Sequence, residues 1–135
     1  MGLVFVDTCL VIFAFEDHPL HGPRVRQAFE GQAGLSVSPL VKLECLVGPM
    51  RSGNLALQRY YEEGLAQFNV LDMPEQVYLL AAALRARFSL KTPDALHLAT
   101  AQFHGCQALW TNDDRLASAA CGLAVNMLHP PPPSR

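Results

Sequence analysis

The first indication of the fold is a short apolar stretch near the start of the chain, LVFVDT at residues 3–8. Its four apolar residues follow one another without polar alternation, which is typical of a strand buried on both faces of a parallel sheet. Asp7 ends the apolar run, and a helical pattern follows from Thr8 to Phe15. The stretch therefore predicts a buried strand that passes at once into a helix.

Further short apolar runs alternate with helical segments along the rest of the chain. The pattern predicts strands at 35–37, 68–71, 108–110 and 123–125, and helices at 20–29, 39–47, 54–66, 74–88, 93–103 and 112–119. Ser38-Pro39 and Thr92-Pro93 have the composition of a helix cap followed by a proline in the first turn. Such alternation predicts an α/β fold with right-handed crossovers, a central and mostly parallel sheet of four to five strands, and helices on both faces.

Length and composition indicate one folded domain. The chain has 135 residues, of which 50% are hydrophobic, and its net charge is −2, so intrinsic disorder is excluded. We expect the domain to cover residues 1–128 and a proline-rich tail, 129–135, to be extended and flexible. Only 16% of the residues are charged, below the usual quarter, which predicts apolar surface reserved for a partner or a second copy.

Charge, hydropathy and cysteine usage narrow the function classes. Twelve acidic residues outnumber ten basic ones, which argues against a basic protein that coats nucleic acid. No apolar run is long enough for a membrane helix, and Asp7 ends the opening run without a basic region before it, so no membrane association and no signal peptide are expected. The four cysteines form no Cys-x-x-Cys pair and are interpreted as core residues of a cytoplasmic protein.

Acidic residues follow two of the predicted strands. Asp7 comes directly after the first strand, and Asp113 and Asp114 come shortly after the fourth. Ligands of open parallel sheets bind beyond the carboxyl ends of the strands, so these positions are candidates for a site. Each acid alone is equally well explained as a cap, or as a first-turn residue, of the helix that follows it.

Two further acids lie on predicted helices. Glu44 falls on the same helical stripe as Leu40, Leu43 and Val47, and a carboxylate that faces a core is costly unless it is paired or bound to metal. An ion pair with a distant arginine stays open as an explanation. Asp94 lies in the first turn of a helix that is apolar on most sides, so it points to the interior, although the helix dipole alone would favour an acid there.

Three or four of these carboxylates predict a cation site if they converge in one cleft. Like charges in contact raise each other's pKa, and a divalent cation removes that conflict. Oxygen ligands alone favour Mg²⁺ or Mn²⁺ over zinc. Such ions activate water and stabilise the leaving oxygen of a phosphodiester. The residues therefore point to a phosphoryl-transfer site built by Asp7, Glu44, Asp94 and one of the neighbours Asp113 and Asp114.

Four spaced segments resemble the PIN domain family, and more narrowly the VapC-type toxins of type II toxin–antitoxin pairs in bacteria or archaea. The segments are VDT at 6–8, LEC at 43–45, TPDALHLATA at 92–101 and TND at 111–113, and together they span nearly the whole chain. The resemblance implies a metal-dependent endoribonuclease that cuts structured RNA. It also implies a homodimer that a cognate antitoxin blocks by occupying the acidic cleft.

The resemblance assigns Asp7, Glu44, Asp94 and Asp113 to a Mg²⁺ or Mn²⁺ site, with the Thr111 hydroxyl beside it. Chemistry favours Asp7 and Asp94 as direct ligands, with Glu44 and Asp113 acting through water or on a second metal. In-line attack by metal-activated water would leave a 5′-phosphate and a 3′-hydroxyl. Asp113 is preferred to its neighbour Asp114 because the family pattern places the acid two residues after the threonine.

Other functions and residue roles remain open at this stage. His97 lies three residues after Asp94, close to the same helix face, and is expected to be a packed core histidine, with contact to the site as the alternative. Arg85, Arg87 and Lys91 are interpreted as a solvated face, with contact to the RNA backbone as the alternative. A haloacid dehalogenase-type phosphatase is excluded, since its Asp-x-Asp motif would need an acid at Cys9. The main alternative function is a catalytically silent PIN-like module that binds RNA or another protein.

Overall fold

The computed structural model describes residues 2–120 and 122–127. Within these residues the chain forms five strands and seven helices. The strands are β1 (Val4–Val6), β2 (Leu35–Val37), β3 (Asn69–Val70), β4 (Ala108–Thr111) and β5 (Ala124–Asn126). The helices are α1 (Thr8–Phe15), α2 (Gly22–Glu30), α3 (Pro39–Ser52), α4 (Leu55–Leu65), α5 (Glu75–Arg87), α6 (Thr92–Phe103) and α7 (Asp114–Ala119).

The strands form one parallel sheet with β1 at its centre. The order across the sheet is β3-β2-β1-β4-β5, and every described pairing is parallel. Val4, Phe5 and Val6 are all buried. Since successive strand residues point to opposite faces, both faces of β1 are covered. The predicted α/β fold with a central parallel sheet is therefore confirmed.

The sheet topology creates a crevice at the carboxyl ends of β1 and β4. The chain leaves β1 toward β2 on one side and later returns to β4 on the other. Connections that leave a parallel sheet in opposite directions open a crevice at this edge, which is where ligands bind in such folds. Asp7 follows β1 and Asp113 follows β4 by one intervening residue, so both acids lie at this crevice.

Helix α6 packs in the interior beside α5. Every residue from Ala95 to Ala101 is buried, as the nearly continuous apolar sequence predicts. The predicted cap is wrong by one position: Lys91 occupies the N-cap, and Thr92 is the first helical residue. Pro93 fits in this first turn because its missing N–H would have no partner within the helix. The acid of the first turn, Asp94, is thereby held at the end of a buried helix.

Helix α3 is longer than the sequence predicts. The expected end at Val47, before Gly48-Pro49, is wrong because the helix continues through Pro49 to Ser52. The Pro49 ring is buried, so packing offsets the hydrogen bond that proline cannot donate. The helix ends where Gly53 adopts φ 68°, and the N–H groups of Gly53 and Asn54 donate to the carbonyls of Met50 and Pro49.

The start of helix α2 differs from the prediction for a local reason. Helix α2 begins at Gly22 rather than Leu20, because His18 Nδ1 accepts the N–H groups of Leu20 and His21 and holds a turn there.

None of the described helices is long and apolar enough to cross a membrane. The predicted domain end at residue 128 and the tail at 129–135 lie outside the described residues.

Candidate active site

A pocket of about 390 Å³ opens at the crevice between β1 and β4. The structure brings all four carboxylates predicted for the site to its walls. The pocket is lined by Asp7, Thr8, Cys9, Ile12, Glu44, Asp94, His97, Asn112 and Asp113. These residues come from α1, α3, α6 and the segment after β4, so the site exists only in the folded chain.

Asp7 is turned toward β4 rather than toward its own helix. It occupies the N-cap position of α1, but its side chain makes no capping hydrogen bond to the described residues. Its Oδ2 instead accepts from the Thr111 hydroxyl at 2.7 Å. The Thr111 Oγ1 also accepts the N–H of Asp113 at 3.0 Å. Thr111 is fully buried, and its one hydroxyl therefore links the two strand-end acids.

Glu44 is paired with a histidine instead of the distant arginine considered above. Its Oε1 accepts from the Thr8 hydroxyl at 2.6 Å and lies 2.8 Å from His97 Nε2. Because a carboxylate only accepts, His97 donates from Nε2. The same nitrogen is 3.6 Å from Asp7 Oδ1. His97 is buried, as the sequence predicts, but it also bridges two site carboxylates from within the core.

The pKa values of this pair are displaced in opposite directions. Burial tends to raise the pKa of Glu44, but hydrogen bonds from His97 and Thr8 outweigh it and lower that pKa. Burial tends to lower the pKa of His97, but the hydrogen bond to Glu44 and the charge of Asp7 outweigh it and raise that pKa. The pair therefore favours an imidazolium beside a carboxylate. The i, i+3 spacing from Asp94 was the sequence signal that His97 lies near the site.

The stripe predicted to bury Glu44 is not the buried face of α3. Leu43 is 58% exposed and Val47 is 39% exposed, whereas the buried residues are Val41, Cys45 and Pro49. The helix has two apolar stripes, and periodicity alone does not tell which one the sheet covers. Glu44 lies at the edge of the buried face, with its side chain 27% exposed.

Asp94 is surrounded by negative charge. Burial and the charges of Asp7, Asp113 and Glu44 raise its pKa, and His97 offsets this only in part. A cation among these carboxylates would reverse the effect, because it favours the charged form.

Asp113 both lines the pocket and caps α7. Its Oδ1 accepts the N–H groups of Arg115 at 2.8 Å and Leu116 at 3.3 Å. The capping role left open above is therefore present at Asp113, and it explains why α7 begins at Asp114 rather than at Asn112. Asp113, and not Asp114, is among the residues that line this pocket.

Cys9 is at the rim of the pocket rather than in the core. It is partly exposed, and its thiol donates to Asn112 Oδ1 at 2.9 Å. Burial and the charge of Asp7 raise the pKa of the thiol, so it stays protonated. The core prediction holds for Cys45 and Cys106, whereas Cys121 lies outside the described residues.

The donor set of the pocket suits a hard cation. Its four carboxylates offer oxygen ligands, which favour Mg²⁺ or Mn²⁺. Glu44 and Asp113 each accept hydrogen bonds from described residues at only one carboxylate oxygen. The second oxygen of each is therefore available to a cation. Among the described residues, no three Asp, Glu, His or Cys side chains are arranged to hold a metal ion as they stand.

The model of the PIN domain family matches residues 4–121, nearly the whole described chain. This chain belongs to the PIN domain family. The match covers β1, the buried helix α6 and β4, and so includes the four acidic positions of the pocket. A comparison with curated proteins gave no match for this PIN domain.

Several solved structures share the fold of this PIN domain. A toxin–antitoxin complex from Klebsiella pneumoniae is 26% identical, with a TM-score of 0.78, over 92% of this chain and 97% of that chain. DNA-bound VapBC from Salmonella typhimurium is 22% identical, with a TM-score of 0.73, over 92% and 96% of the two chains. FitAcB from Neisseria gonorrhoeae is 20% identical, with a TM-score of 0.76, over 94% of this chain and 99% of that chain.

Proposed function

We propose that this PIN domain is a metal-dependent endoribonuclease, the VapC-type toxin of a type II toxin–antitoxin pair. The observation that carries the proposal is the pocket in which Asp7, Glu44, Asp94 and Asp113 meet at the carboxyl ends of β1 and β4. The family match over residues 4–121 and the likeness to the Klebsiella toxin–antitoxin complex support it.

Mg²⁺ or Mn²⁺ held by Asp7 and Asp94, with Glu44 and Asp113 around them, would activate water and stabilise the leaving oxygen of an RNA phosphodiester. The chain's own residues hold these carboxylates in place. Thr111 fixes Asp7 through its buried hydroxyl, and Thr8 and His97 fix one oxygen of Glu44. Such supporting hydrogen bonds set the orientation of a ligand and leave its other oxygen for the cation.

The partners proposed for this protein are a cognate antitoxin and a second copy of the chain. Large apolar side chains remain exposed on α3 and α5, including Leu43, Met50 and Leu79, which fits a chain with few charges and protein partners. We place the activity in the cytoplasm, since Cys9, Cys45 and Cys106 are free thiols. A small upstream reading frame that encodes a DNA-binding antitoxin would support the toxin assignment.

The test is RNA cleavage by the protein freed of any partner. We expect wild type to cut structured RNA only with Mg²⁺ or Mn²⁺. Asp7→Asn should lower the rate of RNA cleavage by more than about a hundredfold. Loss of a residue that only hydrogen-bonds to a metal ligand costs roughly 10–100-fold, and Asp7 is proposed as a direct ligand. The amide oxygen of the new side chain still accepts from Thr111, so the fold should persist. Glu63→Gln, an exposed carboxylate on α4, is the matched control and should cut normally.

Two results would contradict the mechanism: cutting without added metal after chelation, or unchanged activity of Asp7→Asn. A well-folded wild type that binds structured RNA but never cuts it, with either metal, would favour the silent RNA-binding module.

A further inference from the structure

A second, smaller pocket adjoins the acidic one. It has a volume of about 120 Å³ and shares Asp94 and Asp113 with the acidic pocket. Its other lining residues include Lys91, the N-cap of α6, and Arg115 in the first turn of α7. Two basic side chains therefore stand directly beside the carboxylates of the candidate active site.

A third, larger pocket adjoins the second one. It has a volume of about 530 Å³ and shares Ser89, Leu90 and Arg115 with the second pocket. Phe88 and Ala119 add apolar surface to its walls, and Ser118 and Asp114 add polar groups. The surface thus presents three adjoining pockets: one lined by four carboxylates, one lined by two carboxylates and two cations, and one with Phe88 and Leu90 in its walls.

The walls of these pockets are fixed by hydrogen bonds and packing. Arg85 Nε donates to the Leu90 carbonyl at 3.0 Å, and the Leu90 N–H donates to the Phe88 carbonyl at 2.9 Å. On the other wall, Asp113 caps α7, and the side chain of Leu116 is fully buried. Lys91 and Arg115 therefore project from a preformed framework.

These two cations differ from other basic residues near the site. Arg85 is held by the Leu90 carbonyl, and Arg87 lies over the Phe88 ring at 5.4 Å. Lys91 and Arg115 are exposed and form no ion pair with any described residue. They are thus available to an anion that enters the groove, whereas Arg85 and Arg87 support the loop itself.

We propose that this groove is a nucleotide subsite for RNA, and the proposal rests on the nuclease function above. The phosphate next to the scissile one lies between Lys91 and Arg115, and its base enters the apolar pocket against Phe88. A guanidinium and an ammonium suit a phosphate, and aromatic side chains provide stacking surfaces for bases. The order of the three pockets matches a scissile phosphate, its neighbouring phosphate and the attached base.

The phosphate contacts are tested by binding, separately from cleavage. A fluorescent single-stranded RNA is titrated with Asp7→Asn protein in Mg²⁺ at several salt concentrations. Adding Lys91→Ala or Arg115→Ala should weaken binding about tenfold and reduce the slope of log K against log salt by roughly 0.7. Arg115→Lys should retain most of the slope. Arg59→Ala, an exposed arginine on α4 that lines neither pocket, should change neither quantity.

The base pocket is tested with RNAs that carry one abasic position each. A single abasic position beside the cleaved bond should weaken binding about tenfold, the loss of one stacked base. Ser118→Phe, which fills the pocket from its exposed rim, should remove that dependence on the base.

The outcomes separate this subsite from the proposed activity. If Lys91→Ala and Arg115→Ala behave like Arg59→Ala in affinity and salt slope, the subsite is overturned even when wild type cuts RNA. If no abasic position matters more than the others, the base pocket is overturned. If wild type never cuts but both alanine variants lose binding and slope, the subsite stands and the nuclease function fails.

Discussion

At the residue scale, two buried side chains assemble the acidic pocket. Thr111 uses one hydroxyl to bind Asp7 and to accept the N–H of Asp113. His97 donates to Glu44 and lies close to Asp7. Both side chains are buried, so the carboxylates that they hold have defined positions although these residues come from distant parts of the sequence. In a low-dielectric surrounding such hydrogen bonds are stronger than at the surface.

Two substitutions of Asp113 separate its role as the cap of α7 from its role as a pocket carboxylate. Asp113→Ala removes the cap of α7 and should lower the free energy of unfolding by about 1 kcal/mol. Asp113→Asn keeps a capping oxygen for the Arg115 and Leu116 N–H groups and should unfold close to wild type, because asparagine caps about as well as aspartate. Both variants should lose nuclease activity. Urea denaturation and RNA cleavage are the measurements, and full activity of Asp113→Asn would assign this acid to capping alone.

At the scale of helices and strands, the sequence pattern predicts helix α6 well but does not predict the buried face or the length of helix α3. Helix α6 was predictable because it is apolar on nearly all sides, so any packing buries it. The buried face of α3 was not predictable, because both the Leu43 stripe and the Val41 stripe are apolar. The length of α3 is not predictable from local sequence either, because burial of Pro49 overrides the helix-ending tendency of Gly48-Pro49.

Substitution by alanine should change the free energy of unfolding in opposite directions at two helical glycines. At Gly48 in α3, a Cβ atom would meet no described atom within 4 Å, so Gly48→Ala should raise the free energy of unfolding by roughly 0.5–1 kcal/mol. At Gly64 in α4, a Cβ atom would collide with the Phe15 ring, which is stacked on Tyr61. Gly64→Ala should therefore destabilise the protein by about 1–3 kcal/mol. Urea denaturation measures the free energy of unfolding of each variant. If Gly64→Ala also stabilised the protein, the close packing of Phe15 on α4 would be contradicted.

At the scale of the whole molecule, the net charge of −2 conceals an uneven distribution. Four of the twelve acidic residues line one pocket, which leaves eight acidic against ten basic residues elsewhere. An acidic total is thus compatible with an RNA substrate once a cation occupies the pocket. The sheet topology creates this concentration, because the ends of β1 and β4 meet beside α3 and α6.

The repulsion among these acids predicts how metal changes stability. The pKa of Asp94 lies above its usual 3.8, so the unfolded chain releases this proton first and stability falls as pH rises through that range. At neutral pH without metal, Asp94→Asn should therefore have a higher Tm than wild type. Mg²⁺ at about 100 times its Kd should stabilise wild type by ~2.7 kcal/mol, a rise in Tm of roughly 10 °C.

The corresponding control removes a carboxylate outside the pocket. Glu63→Gln should respond to Mg²⁺ like wild type, whereas Asp94→Asn should respond little at matched ionic strength. A thermal shift in Mg²⁺ that is the same for Asp94→Asn and wild type would show that the ion acts elsewhere.

The α/β class, the order of the elements and the candidate acids follow from the sequence alone. Those features depend on neighbouring residues: runs of apolar side chains, turn residues and acids directly after strands. Tertiary packing determines which face of α3 is buried. It also pairs His97 with Glu44, 53 positions away, and Thr111 with Asp7, 104 positions away. The physical reason is that a periodic pattern reflects local free energies, whereas a pairing between elements depends on how the packed core orients them.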